Sequence, residues 1–125
     1  MQKGKILVLE DNKEISEIIV ANLSEFGREI LCFSDPTLAF LAEKNFGKDI
    51  ELFIFDINLP SYSGIEVGQL IKKISPSRKM ICVSGNIDQH EEALKGLHPE
   101  AIIQKPFVSD ELISRVKKAL EKLEK

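Results

Sequence analysis

Five short apolar runs, separated by longer stretches of helical period, constrain this chain more than any other feature. They are Ile6 to Leu9, Ile30 to Phe33, Leu52 to Phe55, Met80 to Val83 and Ala101 to Ile103. Each is too short for a buried helix and apolar at every position instead of at alternate ones. That is the pattern of a strand covered on both faces. Strands of this kind, alternating with helical segments, read as repeated βα units. The fold class expected is α/β, a parallel, doubly wound sheet with helices on both faces.

The intervening segments carry helix signals. Ile15, Ile18, Ile19, Leu23 and Phe26 share one face, with Asp11 and Glu14 spaced as a capping box and Gly27 suited to the helix end. Asp35 before Pro36 fits an N-cap followed by proline at the first helical position, opening a helix through Leu38, Leu41 and Ala42 towards Gly47. Ser63 and Glu66 repeat the capping box ahead of Ile71 and Ile74, and Pro76 ends that helix. A fourth helix between Ile87 and Leu97 is interrupted by Gly96 and followed by Pro99, so its pattern is weak. The last is capped at Ser109 and carries Leu112, Ile113, Val116, Leu120 and Leu123, with residues 121 to 125 forming a solvated charged end.

A chain of 125 residues suits one domain, here expected to span residues 1–125. Its 43% apolar and 30% charged residues argue against a disordered chain. No apolar run approaches the roughly 20 residues of a membrane span. The short apolar stretch after Met1 does not resemble a signal peptide, so the cytoplasm is the expected location. Cys32 and Cys82 each lie inside an apolar run and read as buried, reduced thiols; neither they nor His90 and His98 show metal-ligand spacing, and both histidines read as surface residues. With a net charge of -3 and basic residues spread along the chain, direct nucleic-acid binding is not expected.

In an open parallel sheet, ligands bind beyond the carboxyl ends of the strands. Four of the five ends carry reactive groups here: Glu10 and Asp11 after the first run, Asp56 after the third, Ser84 after the fourth, and Gln104 leading to Lys105 after the fifth. Three carboxylates at one edge repel, and such a cluster is tolerated with a cation or with one acid protonated. Mg²⁺ takes oxygen ligands and keeps room for a phosphate oxygen. Lys105 can balance a second phosphate oxygen, the Ser84 hydroxyl can donate to a third, and Asp56 at the centre can be the nucleophile. Singly, Asp11 fits a helix cap, Glu10 and Asp56 fit solvated loop acids, Ser84 before Gly85 fits a turn, and Lys105 fits a surface lysine. Independent capping does not explain their joint placement at successive strand ends.

With those residues in place, the chain resembles the receiver domain of two-component response regulators along essentially its whole length. Leu9-Glu10-Asp11-Asn12 is similar to the family's acid pair and Asp56-Ile57-Asn58-Leu59-Pro60, with Gly64, to its phosphoacceptor strand and loop. Ser84-Gly85 matches the hydroxyl position and Lys105-Pro106-Phe107 the lysine motif. The resemblance implies a flavodoxin-like five-stranded sheet in the order 2-1-3-4-5 with five helices. It implies Asp56 as phosphoacceptor, Asp11 and Asp56 as direct Mg²⁺ ligands, Glu10 acting largely through water, and the Asn58 carbonyl completing the metal contacts. Lys105 would bind the phosphoryl group, with a cis bond to Pro106, and Asn58 and Asn86 would occupy positions that tune phosphoryl lifetime.

The implied function is phosphorelay signalling. A histidine kinase or histidine phosphotransfer domain would be the donor, and an output partner would bind the face of helix 4, strand 5 and helix 5. Such a domain is a signalling phosphoacceptor that assists its own phosphoryl transfer and dephosphorylation, and not an enzyme in the usual sense. Two positions depart from the family pattern. Ile102 stands where Tyr or Phe usually reports phosphorylation, and Glu10 stands where Asp is common. The rival readings are a receiver-like scaffold without chemistry, against which all five key positions are filled, and a flavin protein or aspartate phosphatase on the same fold. Those last lack support, because no Gly-rich loop or Asp-x-Asp follows the first strand. Whether the domain stands alone or belongs to a hybrid kinase or longer regulator is left open by the sequence.

Overall fold

The computed structural model describes residues 4–59, 63–85 and 91–123. Five strands, β1 (Lys5–Leu9), β2 (Glu29–Phe33), β3 (Ile50–Asp56), β4 (Met80–Ser84) and β5 (Ala101–Gln104), alternate with five helices, α1 (Lys13–Leu23), α2 (Pro36–Phe46), α3 (Gly64–Ile74), α4 (Glu91–Leu97) and α5 (Ser109–Leu123). The sheet order is β2-β1-β3-β4-β5, and every neighbouring pair is parallel, as the sequence reading expects.

Successive side chains of each strand point to opposite faces, so a run apolar throughout feeds two cores. Leu7, Leu9, Phe53, Phe55, Met80 and Cys82 pack beneath α2, α3 and α4. Ile6, Val8, Leu52, Ile54, Ile81 and Val83 pack beneath α1 and α5, meeting Ile19, Leu23, Leu112 and Val116. Burying each such side chain contributes about 1.5–3 kcal/mol, so the two cores outweigh local propensity in fixing the strands. Helix α4 holds on by less: within it, Leu94 and Leu97 are the buried hydrophobic residues.

Caps set where the helices begin. Asp35 caps α2 ahead of Pro36, and Ser63 caps α3, as expected. Gly27, in the left-handed region at φ 68°, ends the 3₁₀ turn that extends α1, a conformation that suits a residue without Cβ. Other expectations are corrected. The cap of α1 is Asn12, whose side chain accepts from the Ile15 amide at 3.0 Å, one residue beyond the Asp11 capping box. Helix α5 starts at Ser109, with the Val108 carbonyl accepting from Glu111 and Leu112 in the cap position. Ile18, Leu38, Leu41 and Ile74 have helical spacing yet remain largely exposed, because the helices lie along the sheet on a narrower stripe than the apolar pattern draws. Cys32 is only partly buried, being on edge strand β2, whereas burial pushes the Cys82 thiol up to about 12. The expected span between Ile87 and Glu91 lies outside the described residues, as does His90; His98 is exposed. No described helix is long and apolar enough to cross a membrane.

Candidate functional site

The parallel order brings the carboxyl ends of β1, β3, β4 and β5 to one edge, and with them the four sets of reactive side chains. Because Asn12 satisfies the first turn of α1, Asp11 is not needed as a cap and stays exposed at that edge. Glu10, Asp11 and Asp56 each offer a carboxylate oxygen, and the three oxygens lie within 4.8 Å of one another. Glu10 and Asp56 are nearly buried, at 3% and 5% exposure, while Asp11 faces solvent.

Lys105 bridges the two buried acids of the cluster. Its Nζ lies 2.8 Å from Glu10 Oε1 and 3.0 Å from Asp56 Oδ2. Burial pushes the Glu10 carboxyl up and the neighbouring Asp56 charge adds to this, while hydrogen bonds from Lys105 and the Asn12 amide pull it down; the balance leaves it at about 7. Burial works to lower the Lys105 ammonium, but its hydrogen bonds to Glu10 and Asp56 outweigh this and hold it above its ordinary value. The lysine therefore stays charged against the two acids.

Asp56 is held at both oxygens. Oδ1 accepts from the Asn58 amide at 2.9 Å and Oδ2 from Lys105 at 3.0 Å. Ser84, fully buried, sits beside it, and the Asn58 side-chain amide donates to its Oγ at 3.0 Å. The loop that carries Asn58 returns through a bridge to Ser63 and a 2.7 Å bond from the Gly64 amide to the Ile57 carbonyl. The peptide bond between Lys105 and Pro106 is cis, as the resemblance implies.

The structure thus gathers Glu10, Asp11, Asp56, Asn58, Ser84 and Lys105 at one edge; Asn86 lies outside the described residues. Sequence reasoning missed the Asn58 side chain as a partner of Ser84, and the Gln104 side chain, which donates to the Gly85 carbonyl at 2.9 Å. For Gln104 the available signal was its place beside Ser84 in the register of β4 and β5, visible once the strands were paired.

The sequence model of the response regulator receiver domain matches residues 6–117. The chain belongs to the response regulator receiver domain family. It is 33% identical over 114 residues to the transcriptional regulatory protein YrkP of Bacillus subtilis strain 168, an alignment covering 90% of this chain and 47% of that protein. It thus spans about half the length of the curated relatives it matches. Among solved structures, a response regulator receiver domain protein from Clostridium thermocellum superposes with a TM-score of 0.86 at 27% identity, covering 97% of each chain. A CheY-like receiver domain protein from Methanospirillum hungatei JF-1 shares the fold, with a TM-score of 0.89 at 24% identity over 98% of each chain. The chain is accordingly a signalling domain of two-component phosphorelays, a family whose acidic pocket binds Mg²⁺.

Proposed function

We propose that this receiver domain, spanning residues 1–125, takes a phosphoryl group onto Asp56 from the phosphohistidine of a histidine kinase or phosphotransfer domain. The observation that carries the reading is the suspension of the Asp56 carboxylate between the Asn58 amide and the Lys105 ammonium, with the Ser84 hydroxyl alongside.

The donor set of the carboxylate cluster is all oxygen, and once Glu10 gives up its proton it is all carboxylate, which fits a hard divalent cation. Asp11, Asp56 and the Asn58 carbonyl would hold Mg²⁺ directly, with Glu10 acting through water. When bound, the ion neutralises charge developing on the phosphoryl oxygens. Asp56 supplies the oxygen that attacks phosphorus; the bond from phosphorus to the donor's imidazole nitrogen breaks, and its electron pair stays on that nitrogen, which takes up a proton. Lys105 exchanges its pairing with Asp56 for a phosphoryl oxygen, and Ser84 donates to another. Hydrolysis of the acyl phosphate by water returns the carboxylate, so the domain resets itself.

The acyl phosphate adds about two negative charges at this edge, drawing Ser84 and Lys105 inward. Helix α4 has few buried anchors, which suits it to respond, and we read the face of α4, β5 and α5 as the output surface. Output is to a protein or domain and not to nucleic acid directly, and the compartment is the cytoplasm, where phosphohistidine donors and Mg²⁺ are available.

The test is intact mass after incubation with acetyl phosphate and Mg²⁺, beside an Asp56→Asn variant and a sample with EDTA. One added phosphoryl group, absent from both controls, is expected. If none is added, and beryllofluoride with Mg²⁺ leaves the Ser84 and Lys105 amide resonances unmoved, the reading fails.

A further inference from the structure

The outward face of β5 carries two side chains, Ile102 and Gln104, while Ala101 and Ile103 point into the core under α5. Ile102 is aliphatic and 36% exposed, so it offers the site no polar contact. Gln104 does. Its Nε2 donates to the Gly85 carbonyl at 2.9 Å and to the Lys105 carbonyl at 3.2 Å. An amide nitrogen has two hydrogens, so both bonds can form at once. One carboxamide therefore joins the carbonyl of Gly85, one residue past Ser84, to the carbonyl of Lys105, on the two segments that carry the phosphoryl-binding groups.

Within the first of these segments Ser84 is already held, fully buried and accepting from the Asn58 side-chain amide at 3.0 Å, so the Gln104 bonds act on the backbone just past it. Gly85 itself is exposed, and among the described residues nothing lies within 4 Å of where its Cβ would stand. Among the described residues, the last backbone bond between the two strand ends runs from the Lys105 amide to the Ser84 carbonyl at 2.8 Å, and beyond it the Gln104 side chain bonds the Gly85 carbonyl. Ordering an exposed glutamine costs side-chain entropy, and the two carbonyl bonds offset that cost.

We propose that Gln104 is a positioning residue, a clamp that sets the spacing between the Ser84 hydroxyl and the Lys105 ammonium so that both meet the phosphoryl group together. The clamp rests on the phosphoacceptor reading given above. It touches neither the metal-binding carboxylates nor the reacting atoms, and acts through the two backbones. Because it lies two residues from Ile102 on the same face of β5, a partner seated on Ile102 also meets the clamp.

The test uses Gln104→Met, which keeps the side chain's length and loses both donors, together with Gln104→Ala. Beryllofluoride affinity in saturating Mg²⁺ is expected to fall about threefold to tenfold, the range of one to two neutral hydrogen bonds. Mg²⁺ affinity and thermal midpoint are expected to stay within twofold and within a few degrees, which a merely structural role would not allow. Unchanged beryllofluoride affinity, or Mg²⁺ affinity falling in parallel, overturns the clamp. A wild-type chain that takes neither beryllofluoride nor phosphoryl sinks the phosphoacceptor reading instead. The clamp is then read from the metal-free protein by amide exchange at Lys105, which Gln104→Met is expected to speed severalfold and which would overturn the clamp if unchanged.

Discussion

Arg78 grips Glu43 with two parallel bonds, Nε to Oε1 at 2.8 Å and Nη2 to Oε2 at 2.7 Å, at the edge of the sheet opposite the carboxylate cluster. Both residues are nearly buried, and the guanidinium also donates to the Ile50 and Gly47 carbonyls, while Ser75 donates to Glu43. The pair ties the end of α2, the start of β3 and the turn after α3 at one point. Removing one partner leaves a buried charge alone, so Arg78→Met is expected to cost about 3–5 kcal/mol. That lowers the thermal midpoint by roughly 10 °C or more for a domain of this size. Adding Glu43→Leu is expected to recover more than half of the loss by removing the stranded carboxylate. If calorimetry shows no recovery, the two orphaned carbonyls, and not the ion pair, carry the cost.

That pair shows where sequence reading stops. The strands were legible because burial on both faces leaves apolar residues at every position, and the strand-end acids, serine and lysine were legible because topology alone brings such ends together. Glu43 and Arg78 are separated by 35 positions, and neither carries a local signal of its partner. The one hint is that Glu43 shares an inward helical face with Ala39 and Ala42. The cap of α1 was misplaced by one residue because Asp and Asn are equally good N-caps, and only the structure shows Asn12 taking that role and leaving Asp11 to the cluster.

Gly64 and Gly68 of α3 make a contrasting pair. A Cβ at Gly64 would fall far inside van der Waals contact with the Asp56 carbonyl and 2.8 Å from Ile57 Cα, both main-chain atoms that cannot step aside. The nearest atoms to a Cβ at Gly68 would be side-chain ones, Leu97 Cδ1 at 3.0 Å and the Phe55 ring at 3.2 Å. Gly64→Ala is therefore expected to shift the segment after Asp56 and cut phosphorylation at least tenfold. Gly68→Ala should cost about 1–3 kcal/mol of stability and leave phosphorylation within twofold. Acetyl phosphate kinetics beside thermal melts separate the two, and equal kinetic losses would show that the backbone at Gly64 is not the constraint.

Lys105 carries two roles that one substitution can divide. It is a cation beside Glu10 and Asp56, and in the function proposed above it also receives a phosphoryl oxygen. Lys105→Met removes a charge that competes with any metal for those carboxylates, so Mg²⁺ affinity at pH 8 is expected to hold or rise. Phosphorylation should nonetheless fall about 10²–10³-fold, the range for losing a preorganised electrostatic donor. A variant that loses both together would mean that Lys105 mainly holds the site's shape.

The Glu10 carboxyl, raised to about 7 chiefly by burial, gives the site a pH dependence in the neutral range. Its folded value lies above the ordinary glutamate value of 4.5, so between those limits the folded metal-free domain holds a proton that the unfolded chain has lost. The stabilisation is complete below about 4.5 and is lost as pH rises through about 7. Metal-free stability should therefore decline across that window. Mg²⁺ affinity should move the other way, because the ion must displace that proton: it rises about tenfold per pH unit below 7 and levels off above it. Glu10→Gln has no proton to displace, so its Mg²⁺ affinity should be lower and nearly flat from pH 6 to 8. Titrations followed by amide shifts at Asp11 and Asp56 measure both curves. A wild-type affinity as flat as that of the variant would mean that Glu10 is already ionised throughout, with Lys105 outweighing its burial.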